Sequence, residues 1–174
     1  MTLARRRSFA AFLATVVMCV LSLVPARAAP TAAGGYSHVS IDVSVLEAQG
    51  LGPMARFVGA QLHAQMRRQF AGRLGVRGAP AILVRLTGLS LPSYVGGSGL
   101  GFGGRRGGGV GSDFLEGDTL VIARSGAVIY SQHILTNLPS SSGGAWYDPD
   151  VDAKRIAAIC GAYAGWSYRY VTGR

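Results

Sequence analysis

From Ser37 onward, apolar and polar positions alternate: Val39, Ile41, Val43 and Val45 are separated by Ser40, Asp42 and Ser44. A period of two with β-branched residues on one side predicts a half-buried strand over 39–45. Gly50 and Gly52-Pro53 then mark a turn, and the period lengthens. Met54, Val58, Leu62, Met66 and Phe70 recur every four residues, with Arg56, His63 and Arg67 off that line. This is the stripe of a helix that packs on a sheet. Methionines in such a stripe are far commoner as core than as part of a cofactor box. Alternation returns over 81–86, where Ile82, Val84 and Leu86 oppose Leu83 and Arg85. Strand, helix and strand in succession predict a right-handed parallel crossover.

The remaining pattern predicts a hairpin and a closing helix. Strands over 119–123 and 127–134 flank Ser125-Gly126, a tight-turn signal. The stretch 139–144 reads as a flexible loop. Asp148 stands as N-cap, Pro149 at the first helical position, and Asp150 and Asp152 in the first turn. Ile156, Ile159, Cys160, Tyr163, Ser167 and Tyr170 then follow helical spacing. The expected fold is a single α+β domain: one small sheet of about four strands with two helices packed on one face, in the order β-α-β-β-β-α. No internal repeat is visible.

Ahead of this domain, residues 1–28 read as a signal peptide. Arg5, Arg6 and Arg7 precede an apolar run over 10–24, Pro25 breaks it, and Ala26-Arg27-Ala28 supplies a small-x-small cleavage pattern. The run is short of the ~20 apolar residues a span needs. Cleavage between Ala28 and Ala29 is expected, which places the protein in the periplasm or outside the cell. Arg6-Arg7-Ser8-Phe9 also fits a twin-arginine signal, with an ordinary secretory signal as the commoner reading. Cys19 follows the bulky Met18 inside the apolar run and does not suit lipidation. Residues 29–36 read as a flexible tether, and 37–174 as the folded domain.

Charge and cysteine content narrow the function. The 174-residue chain carries +9, but removing residues 1–28 takes away four arginines and no acid, leaving 13 basic against 8 acidic groups. The arginines are scattered except for Arg67-Arg68 and Arg105-Arg106, without the dense basic stripe that nucleic-acid binding needs. Cys160 is the sole cysteine after residue 28, so the domain has no intrachain disulfide and rests on its apolar core.

The succession of elements resembles the small α/β domains of exported envelope-assembly proteins, such as the curli-pore and penicillin-binding-protein-activator lipoproteins and related uncharacterised families. Carrying the resemblance are the opening strand at 39–45, the strand at 81–87, and the hairpin at 120–134 around Ser125-Gly126. The chain departs from those lipoproteins in having no usable lipid-attachment cysteine. The resemblance is one of pattern and transfers no functional residue.

Candidate chemistry is sparse. Residues 96–111 contain ten glycines in sixteen positions, and Gly99-Leu100-Gly101-Phe102-Gly103-Gly104 matches G-x-G-x-x-G. No helix begins after it to aim amides at a pyrophosphate, and no G-K-[ST] follows, so the match is compositional. Phe102 with Arg105 and Arg106 makes a possible contact for membrane, glycan or a partner, against the blander reading of a loop kept soluble by arginine. His38, His63 and His133 lack zinc-ligand spacing. There is no G-x-S-x-G elbow, and Cys160 lies in an apolar stripe where burial makes a thiol inert. Asp113, Glu116 and Asp118 cluster before the third strand; they read as a solvated loop edge rather than as paired catalytic carboxylates or a cation site. Trp146 and Tyr147, after Gly143-Gly144, either pack down at the helix entrance or form a stacking platform. No catalytic residue, metal ligand or cofactor is assigned. The leading expectation is an exported, non-catalytic envelope interaction or assembly domain whose partner is another envelope protein or cell-wall component. A periplasmic glycan- or peptide-binding module and an unrecognised hydrolase are the alternatives.

Overall fold

The computed structural model describes residues 34–92, 111–145 and 147–173. Ala28, Ala29, Phe102, Arg105, Arg106 and Trp146 lie outside them. Strand β1 (Val39–Asp42) leads into a single helical turn, α1 (Ser44–Leu46), then a wider π turn over Glu47–Leu51 and the long helix α2 (Gly52–Gln69). Strands β2 (Ala81–Ser90), β3 (Ser112–Ile122) and β4 (Val128–Pro139) follow. A 3₁₀ turn over Ser140–Gly143 then precedes helix α3 (Val151–Thr172).

The sheet has the order β1-β2-β3-β4. β1 runs parallel to β2, with Ile41 beside Val84; β2 with β3 and β3 with β4 are antiparallel. The parallel pair requires a crossover, and α2 supplies it. This is the expected α+β arrangement, with α2 and α3 packed on each other and on one face of the sheet. Val58, Leu62, Met66 and Phe70 from α2 and Ile156, Ile159, Cys160 and Tyr163 from α3 are buried there. They pack with Ile82, Val84 and Leu86, and with Leu115, Val121 and Ile134.

Several boundaries differ from the sequence pattern. Val43 and Val45 do not extend β1. Asp42 accepts a hydrogen bond from the Ser44 amide at 3.0 Å, and this Asx turn starts α1 instead. Tyr36, placed in the tether, is wholly buried, and its ring meets Phe70 edge-on at 5.7 Å. β3 begins at Ser112 rather than 119, which moves the three acidic residues from a loop onto a strand. The stretch 139–144 is not a free loop, since Ser140 and Gly143 are buried against α3. Asp150, not Asp148, is the N-cap position of α3 and makes no side-chain cap bond; Asp148 instead accepts from the Asp150 amide and pairs with Lys154. At the two helix ends, Met54 and Tyr170 project into solvent although they share the spacing of the buried stripes.

The hairpin matches its signal. Gly126 has φ +85°, the left-handed conformation the turn requires. The Ala123 amide donates to the Ala127 carbonyl at 2.8 Å and closes it.

Candidate functional site

Strand alternation divides the acidic cluster between the two faces of the sheet. Asp113 points under the helices with its side chain 1% exposed, and Arg155 of α3 meets it at 3% exposure. The guanidinium donates through Nε to Asp113 Oδ2 at 3.0 Å and through Nη2 to Oδ1, a bidentate pair. It also donates to the Pro92 carbonyl at 2.8 Å, and Ser140 Oγ lies 3.0 Å from Asp113 Oδ1. These contacts tie the end of β2, the start of β3 and the 3₁₀ turn to α3. Asp113 is therefore a structural anchor and cannot work jointly with the other two acids.

Glu116 and Asp118 face the opposite side, which carries no helix among the described residues. His133 on β4 lies between them, with Nδ1 2.9 Å from Asp118 Oδ1 and Nε2 3.1 Å from Glu116 Oε1. The hydrogen bond to Asp118, with the charges of both acids, raises the imidazole above its ordinary value. Both ring nitrogens are thus engaged with carboxylates. Among the described residues no group of three or more His, Cys, Asp or Glu side chains is placed to hold a metal ion.

Strand registers extend this contact into a row across the whole sheet. Asp42 stands beside Arg85, Arg85 beside Asp118, and Asp118 beside His133. Arg85 Nε lies 3.0 Å from Asp42 Oδ2. The helix-free face therefore carries a ladder that alternates acid, base, acid, base from β1 to β4. Apolar side chains flank it. Leu83 and Leu120 are neighbours in the adjacent row, and Leu135 and Phe114 are 60% and 36% exposed. Each of these residues is visible singly in the sequence but the ladder is not, because its spacing depends on registers that no local pattern supplies.

The other candidates are less connected. Cys160 is buried 3.8 Å from the Val58 carbonyl, and burial pushes its thiol up to about 12, as its position in the stripe implied. His63 lies on α2 and His38 just before β1. Tyr147 is 75% exposed. A second aromatic feature had no distinguishing local pattern. Trp166 and Tyr170, one turn apart on α3, stack at 5.9 Å, and the Arg169 guanidinium lies 5.0 Å from the centre of the Trp166 ring.

No helix among the described residues is long and apolar enough to cross a membrane. Comparison with known proteins brings no significant match to a family model, a curated protein or a solved structure.

Proposed function

We propose that this is an exported, non-catalytic interaction domain of the cell envelope, and that it docks through the helix-free face of its sheet. The observation that carries the reading is the combination on that face of exposed Leu135 and Phe114 with the ladder Asp42–Arg85–Asp118–His133. Sheets in layered domains cover their apolar faces, and exposed apolar groups flanking a row of ordered charges offer a protein partner both burial and register. Export rests on Arg5–Arg7, the apolar run and Ala26-Arg27-Ala28.

The test is a photo-crosslinking residue placed at Leu135 or, as a control, at Phe57 on the exposed side of α2, in the native host. A discrete adduct from Leu135 alone supports the reading, as does an envelope-fraction protein that begins at Ala29. Adducts of equal yield from both positions, or intact Met1 on the envelope protein, contradict it.

A second reading, capture of a glycan or peptide, is favoured by the exposed stack of Trp166 and Tyr170. It predicts that Trp166→Ala reduces retention on cell-wall polymer while leaving the unfolding midpoint nearly unchanged.

A further inference from the structure

The charge ladder has a symmetry that identifies a fitting partner. Read from β1 to β4 it runs acid (Asp42), base (Arg85), acid (Asp118), base (His133). Such a row is antisymmetric about the line midway between β2 and β3. A two-fold axis parallel to the strands along that line, set between two facing sheets, exchanges β1 with β4 and β2 with β3. Every acid of one copy then faces a base of the other: Arg85 meets Asp118, and Asp42 meets His133.

The same operation matches the apolar residues on the Leu83 side of the row. Residues that are neighbours across the β2/β3 ladder become partners across the interface. Leu83 faces Leu120, Ala81 faces Ile122, and Gly88 faces Glu116. On that side apolar side chains meet apolar ones; on the other, Phe114 faces Ser90, and Glu116 faces a Gly88 that the same copy's Glu116 already covers. By contrast, a two-fold axis running across the strands along the row would set Asp42 on Asp42 and Arg85 on Arg85. Like charges facing each other oppose that alternative.

We infer that the helix-free sheet face is the isologous interface of a homodimer, with a second copy of this chain as its occupant. This rests on the interaction-domain reading above and specifies its partner. Self-complementarity is the requirement of a two-fold interface, and aligned sheet-on-sheet packing tolerates the twist between the two copies. Three strands of roughly eleven residues and the shorter β1, about 4.8 Å apart with about 3.3 Å per residue, give a footprint of about 600 Å² per copy. That approaches the ~800 Å² per partner of a standard interface and suits a reversible dimer rather than an obligate one.

The test uses sedimentation equilibrium on the purified protein and on two charge reversals, Arg85→Asp and Asp118→Arg. In either variant alone, both symmetry-related contacts become like-charged, so dimerisation weakens by at least tenfold. Mixing the two variants sets the introduced aspartate of one copy against the introduced arginine of the other. The unaltered Asp118 of the first copy then faces the unaltered Arg85 of the second, and the dimer returns as a heterodimer. Circular dichroism checks that both variants fold. Should either fail to fold, cysteines substituted at Ser40 and Ser131 in separate copies join through a short bis-maleimide only when those residues face each other. Dimers that survive both reversals would place the interface elsewhere, for instance along the free edge of β4, and overturn the inference. A chain that stays monomeric while Leu135 still crosslinks to a different envelope protein overturns self-pairing but keeps the docking surface. A monomer with no adduct from Leu135 removes both.

Discussion

Arg155 gathers segments from four parts of the chain. Its guanidinium reaches Asp113 on β3, Asp152 on its own helix and the carbonyl of Pro92, while Ser140 closes on Asp113 from the 3₁₀ turn. With both partners almost wholly buried, removing one leaves an uncompensated charge in a low-dielectric site. Arg155→Ala is therefore expected to cost about 3–5 kcal/mol in urea unfolding, whereas replacing Arg155 and Asp113 together by leucine costs much less. Equal losses from the single and double changes would show that the pair's packing, not its charge, matters.

His133 gives the opposite kind of residue, exposed and tunable. Its pKa is raised above 6.5 chiefly by the hydrogen bond to Asp118. For a raised basic group, the stabilising contribution is complete below the unfolded value and is lost as pH climbs through the folded one. The effect on stability is small, because more than half of the ring is open to solvent. An NMR titration should place the His133 midpoint above 6.5, and Asp118→Asn should lower it. A midpoint at or below 6.5 in the unaltered protein would contradict the paired geometry.

Among the elements, those whose residues bury themselves by local period were legible. The 58–70 and 156–167 stripes, the alternation at 81–86 and the Ser125-Gly126 turn are legible because amphipathic period and turn chemistry act within a few residues. Boundaries set by tertiary contacts were not legible. β3 and β4 extend beyond their apolar segments because each strand pairs with the other as far as Ser112 and Pro139. The 3₁₀ turn over Ser140–Gly143 looks polar and loose in sequence, yet it packs under α3. Gly143 explains why: a Cβ there would lie 2.5 Å from both Arg155 Cγ and the Val151 carbonyl oxygen. Gly143→Ala should thus cost about 1–3 kcal/mol, the range for overpacking a tight contact, and guanidinium unfolding measures it. A neutral result would mean that the turn and α3 move apart at little cost.

At the scale of the molecule, the two faces of one sheet divide the work. One carries the core, with Tyr36, Phe70 and Tyr163 among its largest buried side chains. The other carries charge in register and apolar groups that no element among the described residues covers. The sequence pattern signalled the first face clearly, since hydrophobic period is what makes a core. It signalled the second only as scattered residues, because Asp42, Arg85, Asp118 and His133 are brought into line by three strand pairings between segments far apart in the chain. The candidate contacts chosen from local pattern, Phe102, Arg105, Arg106 and Trp146, lie outside the described residues, while Tyr147 is exposed beside the start of α3.

Covalent footprinting in living cells tests the central claim, that the helix-free face is occupied when the protein works. Leu135 and Phe114 would be labelled by hydroxyl radicals in intact cells and in dilute purified protein, with Met54 and Phe57 on α2 as internal references. The account predicts that labelling of Leu135 and Phe114 falls several-fold in cells relative to the dilute protein while the α2 references stay constant. Unchanged labelling of Leu135 and Phe114 in cells would contradict it.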